Sequence, residues 1–395
     1  MEGRSTYRVL REAYPSTSIL VLDQSTQIQI AEHTHTSLSL GDAYMSRIAE
    51  CDIVLRSPGI KLSGSLYTGR VTSQLQIFTQ LHRSRIIGVT GTKGKSTTTS
   101  LIHHLLTGSH KTALVGNIGI PAFDTWGEEY DYYVCEYSCH QLSDMSVSPS
   151  TAVLLNLYPE HLDYYDSVAD YYATKLRIFQ YQQPGDSLYT TAQVTTVTNL
   201  LPQHAVVVGA DQELPHSTSL PGEHNKLNQH IAATVAGLVG VGASQIVARL
   251  STFVGLPHRL ELVHKTATVQ YINDSISTTP QSTIAGLQAY SDVAAVLIGG
   301  YDRGIDYTML VDYLRQHAES FDVILFSEVG RRLGPQLGLP VHSTFELAMQ
   351  HMLITNYSGT VLMSPAAASY DEFSSFVERG QVFKEIINSH YQTVK

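Results

Sequence analysis

The sequence predicts an α/β protein built from parallel sheets that helices cover. Short apolar runs typical of strands alternate along the chain with amphipathic segments typical of helices. One of these runs, at residues 85–90, leads into a glycine-rich turn and then into a helical pattern. The predicted strands are residues 18–23, 52–55, 85–90, 112–115, 132–136, 152–156, 205–208, 269–273, 294–298, 323–326 and 360–363.

Length and turn residues predict three domains. A chain of 395 residues exceeds the size at which a single hydrophobic core stops growing. The first two strands end near Ser57-Pro-Gly-Ile60, and a second break falls at Gly255-Leu-Pro257. We therefore predict a first domain over residues 1–70, a central domain over 71–254 and a third domain over 255–395.

Composition argues against several classes of protein. The 43% of hydrophobic and 15% of charged residues are typical of globular proteins, and the formal net charge of -10 argues against a nucleic-acid-binding surface. Neither an apolar run of about 18 residues nor a basic-then-apolar leader is evident. The three cysteines (Cys51, Cys135, Cys139) are too few for a disulfide framework or a four-thiolate zinc site. We expect a cytoplasmic monomer without nucleic-acid binding or membrane insertion.

The glycine-rich turn after residue 90 carries the strongest chemical signal. Its glycines let the backbone bend tightly around phosphate oxygens, while Lys95 supplies a cation for the β- and γ-phosphates and Ser96 is placed to coordinate Mg²⁺. Val89 stands where the usual phosphate-loop pattern has glycine, and a glycine-rich turn of an arbitrary α/β protein is the alternative. The predicted triphosphate site consists of Gly91, Thr92, Lys93, Gly94, Lys95, Ser96 and Thr97.

Three further residues stand where they could reach such a site. Glu136 ends an apolar strand, and a carboxylate at the carboxyl edge of a parallel sheet can reach Mg²⁺, although acidic residues end many strands without such a role. His161 follows a predicted strand and Lys175 lies in the next helical pattern. By spacing alone, a solvated histidine and a surface lysine are the more frequent outcome.

Polar residues later in the chain suggest contacts to a nucleotide, but these patterns are less specific signals than the glycine-rich turn. Asn225 and Asn228 precede an alanine-rich helical pattern, and their amides offer the donor and acceptor that an adenine edge requires, although asparagine also caps helices. In the third predicted domain, Arg259, Asp274 and Arg303 lie at strand ends and turns. Such positions face a cleft if the domains close on each other.

Taken in order, the motifs resemble those of the Mur ligases from about residue 2 to about residue 390. The matching segments are Thr90-Gly-Thr-Lys-Gly-Lys-Ser-Thr97, Gly116-Asn-Ile-Gly119, Glu136-Tyr-Ser-Cys-His-Gln-Leu142, Leu155-Asn156 with Glu160-His161, Tyr172-Ala-Thr-Lys175, His224-Asn225, Leu256-Pro-His-Arg259, Asn273-Asp-Ser275, and Ser364-Pro-Ala-Ala-Ala-Ser369 with Phe373, Phe376 and Glu378-Arg-Gly380.

The resemblance implies a three-domain enzyme with a central P-loop ATPase domain between Rossmann-like N- and C-terminal domains. The implied reaction is ATP-dependent amide formation through an acyl phosphate. Among the family, the members that add D-glutamate to UDP-N-acetylmuramoyl-L-alanine in cytoplasmic peptidoglycan precursor synthesis match most closely. These two compounds are therefore the expected substrates, and no macromolecular partner is implied.

The resemblance also assigns roles to residues of this chain. Lys95, Glu136, His161 and Lys175 would be catalytic, with ATP and two Mg²⁺ ions as cofactors. The metal ligands would be Ser96, Glu136, His161 and Lys175, the last as a carbamate formed with CO₂. Further ATP contacts would be Asn225, Asn228, Arg259 and Asp274. The UDP substrate would contact Asp23, Ser25, Thr26, Ser57, Pro58, Gly59 and Asn117. The amino acid would contact Thr278, Arg303, Ser369, Tyr370 and Phe376.

Several residues depart from the family pattern. Ile276 stands in a lysine position and Arg303 in another, so the pocket loses one cation and exchanges an ammonium for a planar guanidinium. Lys93 replaces the usual asparagine, and His140 stands where phenylalanine is common. The chain opens at a helix start, without the expected preceding strand. A start codon placed too late explains this better than true loss, because loss of a parallel strand exposes the edge of the next one.

Two other functions stay open. The first is a Mur-like ligase with another amino-acid specificity, and the second is a ligase like folylpolyglutamate synthetase, which shares the ATPase logic but takes a pterin. The amidotransferase-linked Mur-like subunit carries a four-cysteine zinc insert, which three cysteines do not supply. From a different class, a nucleotide-binding protein without ligase activity would lose His161 or Lys175, and both are present.

Overall fold

A computed structural model describes residues 2–28, 30–62, 67–161, 164–209, 220 and 223–393. The chain divides into two compact units, one formed by Met1–Pro215 with Leu227–Leu250 and the other by His216–Lys226 with Ser251–Lys395. The boundaries of the three predicted domains stay predictions. No helix in the described ranges is long and apolar enough to cross a membrane.

The amino-terminal part of the first unit contains two small parallel sheets. Strand β1 (Ile19–Asp23) pairs with β2 (Thr36–Leu40), and β3 (Ile53–Leu55) pairs with β4 (Arg70–Thr72). Helix α1 (Glu2–Ala13) precedes them. The predicted strands at 18–23 and 52–55 are thus confirmed, whereas β2 and β4 were not predicted.

A six-stranded, wholly parallel sheet forms the rest of the first unit, in the order β10-β9-β8-β5-β7-β6. Its strands are β5 (Ile86–Thr90), β6 (Thr112–Gly116), β7 (Tyr132–Glu136), β8 (Thr151–Leu154), β9 (Ser187–Thr190) and β10 (Ala205–Val207). The helices are α2 (Gln74–His82), α3 (Lys95–Leu106), α4 (Cys139–Leu142), α5 (Val168–Gln180), α6 (Ala192–Val197), α7 (Glu223–Leu238) and α8 (Ala243–Thr252). All five residues of β5 are buried, as expected for a strand covered on both faces.

The strand order determines where a ligand site can form. From β5 the chain moves to one side of the sheet for β6 and β7, and then to the other side for β8, β9 and β10. Ligands of open parallel sheets bind at the carboxyl ends of the strands, next to such a reversal. The segments that follow β5, β7 and β8 meet at this edge.

The second unit contains another six-stranded sheet, in the order β11-β12-β16-β13-β14-β15. Its strands are β11 (Glu261–Lys265), β12 (Val269–Asn273), β13 (Val293–Gly299), β14 (Asp322–Phe326), β15 (Val341–His342) and β16 (Gly359–Met363). The helices are α9 (Pro280–Gln288), α10 (Thr308–Gln316), α11 (Ser327–Leu337), α12 (Phe345–Ile354) and α13 (Phe376–Thr393). Only β11 is antiparallel to its neighbour among these described strands, an arrangement that the prediction of parallel sheets did not include.

Candidate active site

The glycine-rich turn has the predicted strand–turn–helix geometry. Gly94 caps α3 with a left-handed φ of +82°, and a Cβ atom there would lie 3.0 Å from Oδ1 of Asn228. Position 94 therefore favours glycine for both conformation and space. Asn156 braces the loop from the segment after β8: its Oδ1 accepts from the Lys93 N–H at 2.8 Å, and its Nδ2 donates to the Lys93 carbonyl at 3.0 Å. Asn156 belongs to the motif Leu155-Asn156 but was not among the predicted site residues.

Two lysine side chains converge on one carbonyl oxygen of this loop. Nζ of Lys95 donates to the carbonyl oxygens of Gly91 at 3.0 Å and Thr92 at 2.9 Å. Nζ of Lys175 donates to the same Gly91 oxygen at 2.8 Å. The structure thus brings together two residues that lie 80 positions apart in the sequence.

Lys175 is buried, with 1% of its surface exposed, on the packed face of α5 together with Tyr171. Burial, reinforced by the nearby charge of Lys95, lowers the pKa of Lys175 from its ordinary 10.5 to about 7. Its Nζ lies 4.9 Å from the centre of the Tyr171 ring. A substantial fraction of Lys175 is therefore an uncharged amine near neutral pH, contrary to the surface lysine that spacing alone favoured.

Glu136 ends β7, as predicted, with only 1% of its surface exposed. Asn117 donates from Nδ2 to Oε1 of Glu136 at 2.7 Å. The other oxygen, Oε2, is buried and has no hydrogen-bond partner among the described residues. A buried carboxylate oxygen with free lone pairs suits a hard cation such as Mg²⁺.

The remaining donors at this edge fit a magnesium ion held partly by phosphate and water. The described ranges contain no group of three or more His, Cys, Asp or Glu side chains that could hold a metal. Mg²⁺ commonly uses one or two carboxylates and completes its shell with water and substrate phosphates. Glu136 and the Ser96 hydroxyl are the residues that suit this arrangement.

His161 lies after β8 with an unusual left-handed φ of 58°. Its contact with the Cys139 thiol is the main cause that raises the pKa of His161. Burial raises the pKa of the Cys139 thiol, but His161, Lys175 and Tyr165 outweigh burial, so the net shift is downward. Cys139 was not among the predicted site residues. Its one sequence signal is its position three residues after Glu136.

The structure also places other residues predicted for the nucleotide and UDP sites. Lys93 is exposed, and its ammonium pairs with the Glu160 carboxylate at 2.5 Å. Asp23 accepts through Oδ1 from the Ser25 N–H at 2.8 Å. Asn225 and Asn228 do not precede the alanine-rich helix, as the sequence suggested, but lie inside α7, because that helix already begins at Glu223.

The second unit collects the residues predicted for the amino-acid pocket. Arg303 donates from Nη2 to the Thr278 carbonyl at 2.7 Å. Buried Asp274 accepts from Oγ of Ser364 at 2.8 Å, and burial raises its pKa to about 6. Arg379 was not among the predicted site residues. It is fully buried, and its guanidinium donates to the carbonyl oxygens of Ala367, Ala368 and Ser275. Its position within Glu378-Arg-Gly380 was the available signal.

The phosphate loop leads into a helix and lies beside a buried carboxylate on the adjacent strand, a buried Lys175 and a half-buried Lys95. These features define a P-loop nucleotide-binding protein. Comparisons with known proteins specify the family. Residues 89–213 match the model of the Mur ligase middle domain. The chain is 32% identical to the UDP-N-acetylmuramoylalanine–D-glutamate ligase of Acetivibrio thermocellus, over 89% of this chain and 85% of that relative.

A second relative, the UDP-N-acetylmuramoyl-L-alanine–L-glutamate ligase of Xanthomonas euvesicatoria pv. vesicatoria, is 30% identical over 98% of this chain and 92% of its own. The crystal structure of MurF from Acinetobacter baumannii shares the fold, with a TM-score of 0.64 at 16% identity over 94% of this chain and 92% of that one. The chain belongs to the Mur ligase family of ATP-dependent ligases.

Proposed function

We propose that the protein joins glutamate to UDP-N-acetylmuramoyl-L-alanine through an acyl phosphate, in peptidoglycan precursor synthesis. The observation that carries this proposal is the convergence of Lys95 and Lys175 on the Gly91 carbonyl, in the sheet-edge site that includes Glu136. A site for phosphoryl transfer to a carboxylate must bring anions together, and it therefore needs cations and metal ligands. We assign D-glutamate first and place the enzyme in the cytoplasm as a monomer.

The reaction proceeds in two steps. The acceptor carboxylate attacks the γ-phosphorus of ATP, so that an acyl phosphate forms and ADP leaves. The amine of glutamate then attacks the acyl carbon, an amide forms and phosphate leaves, with one proton lost from the amine. Lys95 and the loop N–H groups stabilise the charge on the transferred group.

Mg²⁺ would supply positive charge to the phosphate oxygens, with Ser96 and Glu136 as its ligands and His161 beside a second ion. Lys175 would contribute an oxygen ligand after it is carbamylated. In that step the uncharged amine forms an N–C bond to CO₂ and loses one proton, so that the neutral amine becomes a carboxylate-like anion. The lowered pKa of Lys175 supports this assignment, because only the uncharged amine reacts with CO₂.

The remaining assignments are part of the same proposal. The adenosine moiety would contact Asn225, Asn228, Arg259 and Asp274. The UDP moiety would contact Asp23, Ser25, Thr26, Asn117 and the loop Ser57-Pro-Gly59. Glutamate would contact Thr278, Arg303, Ser369, Tyr370 and Phe376.

L-glutamate is the second candidate substrate. The relative from Xanthomonas, which carries the L-enantiomer in its name, matches 98% of this chain. Ile276, where the pattern of the family has lysine, removes a cation that could select between the side-chain carboxylates of two enantiomers. Arg303 can still bind a carboxylate in a bidentate manner.

Phosphate release measured with ATP, the UDP-linked acceptor and either enantiomer tests the proposal. We expect turnover only when acceptor and glutamate are both present. Lys95→Ala should lower the turnover number about 100-fold or more, as for the loss of one electrostatic transition-state contact. Lys111→Ala, an exposed lysine paired with Glu128, is the matched control and should turn over normally. Phosphate release that ignores the acceptor, or no reaction with either enantiomer, would contradict the proposed function.

A further inference from the structure

Arg56 is a buried cation immediately before the loop Ser57-Pro-Gly59. Only 7% of its side chain is exposed, although arginine is almost never buried without partners. It was not among the predicted site residues. Its contacts extend to segments that lie 84 to 108 positions later in the sequence.

The guanidinium of Arg56 links the loop Ser57-Pro-Gly59 to the residues that follow α4 in the sequence. Its Nε and Nη2 donate to Oδ2 of Asp144 at 2.9 and 2.7 Å, and Nη2 also donates to Oγ of Ser143 at 2.6 Å. On the other side, Nη1 donates to the carbonyl oxygen of Ile60, at the end of the loop. The loop is therefore tied through one side chain to residues that follow Glu136 by seven and eight positions.

A further contact reaches the segment of His161. Nη1 of Arg56 donates to the Tyr164 hydroxyl at 3.3 Å, and the Tyr164 N–H donates to the His161 carbonyl at 3.0 Å. One planar group thus touches the end of the loop, the residues that follow α4 and a tyrosine bonded to His161. Only a guanidinium has enough fixed donors for all of these acceptors.

Buried ion pairs are poor sources of stability, because desolvation of both charges offsets their attraction. Burial accordingly raises the pKa of Asp144 even though Arg56 pairs with it. A buried ion pair that links separate segments of the chain fixes how those segments lie relative to one another, even where it adds no stability.

We propose that Arg56 is a positioning residue that holds the loop Ser57-Pro-Gly59 in register with Glu136 and His161, and so sets where the acceptor carboxylate lies relative to the transferred phosphoryl group. This inference rests on the proposed function, in which the loop contacts the UDP-linked acceptor. In this role Arg56 acts through the loop and needs no contact of its own with the acceptor or the phosphate. Its loss should therefore weaken acceptor binding and use, while binding of the adenine nucleotide persists.

The test compares three variants with the wild-type protein. Arg56→Lys keeps the positive charge but loses the planar guanidinium with its several N–H donors. Arg56→Met leaves Asp144 buried without its partner. The double variant Arg56→Met/Asp144→Leu removes both charges, which buried pairs commonly tolerate without loss of stability. Arg47→Met, which breaks an exposed pair with Glu50, is the matched control.

For each folded variant, binding of ADP and binding of UDP-N-acetylmuramoyl-L-alanine are measured separately, followed by the KM for the acceptor. We expect the double variant to bind ADP within about twofold of wild type, whereas its Kd and KM for the acceptor rise 10-fold or more. The Kd and KM of Arg56→Lys for the acceptor should lie between those of the wild type and those of the double variant. Arg47→Met should match the wild type in each measurement.

The outcomes separate this inference from the function on which it rests. A wild-type protein that binds ADP but neither binds nor uses the acceptor would overturn both. A wild-type enzyme with acceptor-dependent turnover, together with a folded double variant of unchanged acceptor affinity, would overturn only the role of Arg56. A fall in thermal stability with an unchanged acceptor KM would do the same.

Discussion

Replacement of Lys175 by methionine should make the first unit more stable while it abolishes activity. The pKa of Lys175 is about 7 in the folded chain against an ordinary 10.5. Since one pKa unit corresponds to about 1.4 kcal/mol, the folded state disfavours the ammonium by about 5 kcal/mol. Methionine has a similar length and no charge. It forfeits about 1–2 kcal/mol of contacts with the Gly91 carbonyl and the Tyr171 ring, so we expect a net gain of about 3 kcal/mol at pH 6.

The stability gained by Lys175→Met should depend on pH, and the lowered pKa of Lys175 determines the direction of that dependence. Between pH 7 and 10.5 the unfolded chain binds the Lys175 proton more tightly than the folded chain does, so wild-type stability rises with pH across this window. The penalty is complete below pH 7 and disappears as the pH approaches 10.5. The advantage of Lys175→Met should therefore be largest at pH 6 and shrink steadily above pH 7.

Trp126 is the single tryptophan of the chain and belongs to the first unit, so its fluorescence during urea unfolding reports on that unit. Measurements in CO₂-depleted buffer keep Lys175 unmodified. Lys111→Met, at an exposed position, is the control and should change little. Equal or lower stability of Lys175→Met at pH 6, or an advantage that grows with pH, would contradict this prediction.

Two further predictions concern buried carboxylates. Asn117→Ala removes the hydrogen bond to Oε1 of Glu136, a contact typically worth about 1.5–3 kcal/mol. The Mg²⁺ concentration for half-maximal activity should therefore rise 10-fold or more. A change confined to the acceptor KM would instead support Asn117 as a contact of the UDP moiety alone. Asp274, with a pKa raised to about 6, makes the second unit less stable as pH rises from 4 to 6. Asp274→Asn should remove up to about 3 kcal/mol of this dependence, measured by hydrogen exchange in β12, and an unchanged pH profile would contradict it.

The sequence predicted the interior of the sheets better than their margins. Every predicted strand has a counterpart, because strands such as β5 and β13 are buried on both faces and read as continuous apolar runs. Five strands were missed: β2, β4, β9, β11 and β15. Strand β2 alternates serine with leucine, and β15 has two residues at the sheet edge. Such strands form because a neighbouring strand pairs with them, and their own residues carry little information on that pairing.

The residue types of the candidate site could be predicted, but the contacts between these side chains could not. The loop chemistry around Lys95 follows from local sequence, since glycine, lysine and serine act within one turn. The contact between Cys139 and His161, and the shared carbonyl of Lys95 and Lys175, depend on the order of parallel strands. Spacing along the chain carries no information on that order, which is why Lys175 looked like a surface residue.

The site contains several features that do not stabilise the folded chain by themselves. Lys175 and Lys95 lie close together in a buried place, Glu136 keeps one buried oxygen without a partner in the described ranges, and His161 adopts a left-handed backbone conformation. Natural proteins keep such local conflicts where function requires them. Phosphate would neutralise Lys95, and a cation would satisfy Glu136. The same unfavourable terms that lower stability therefore increase affinity for a nucleotide with its metal, because ligand binding relieves them.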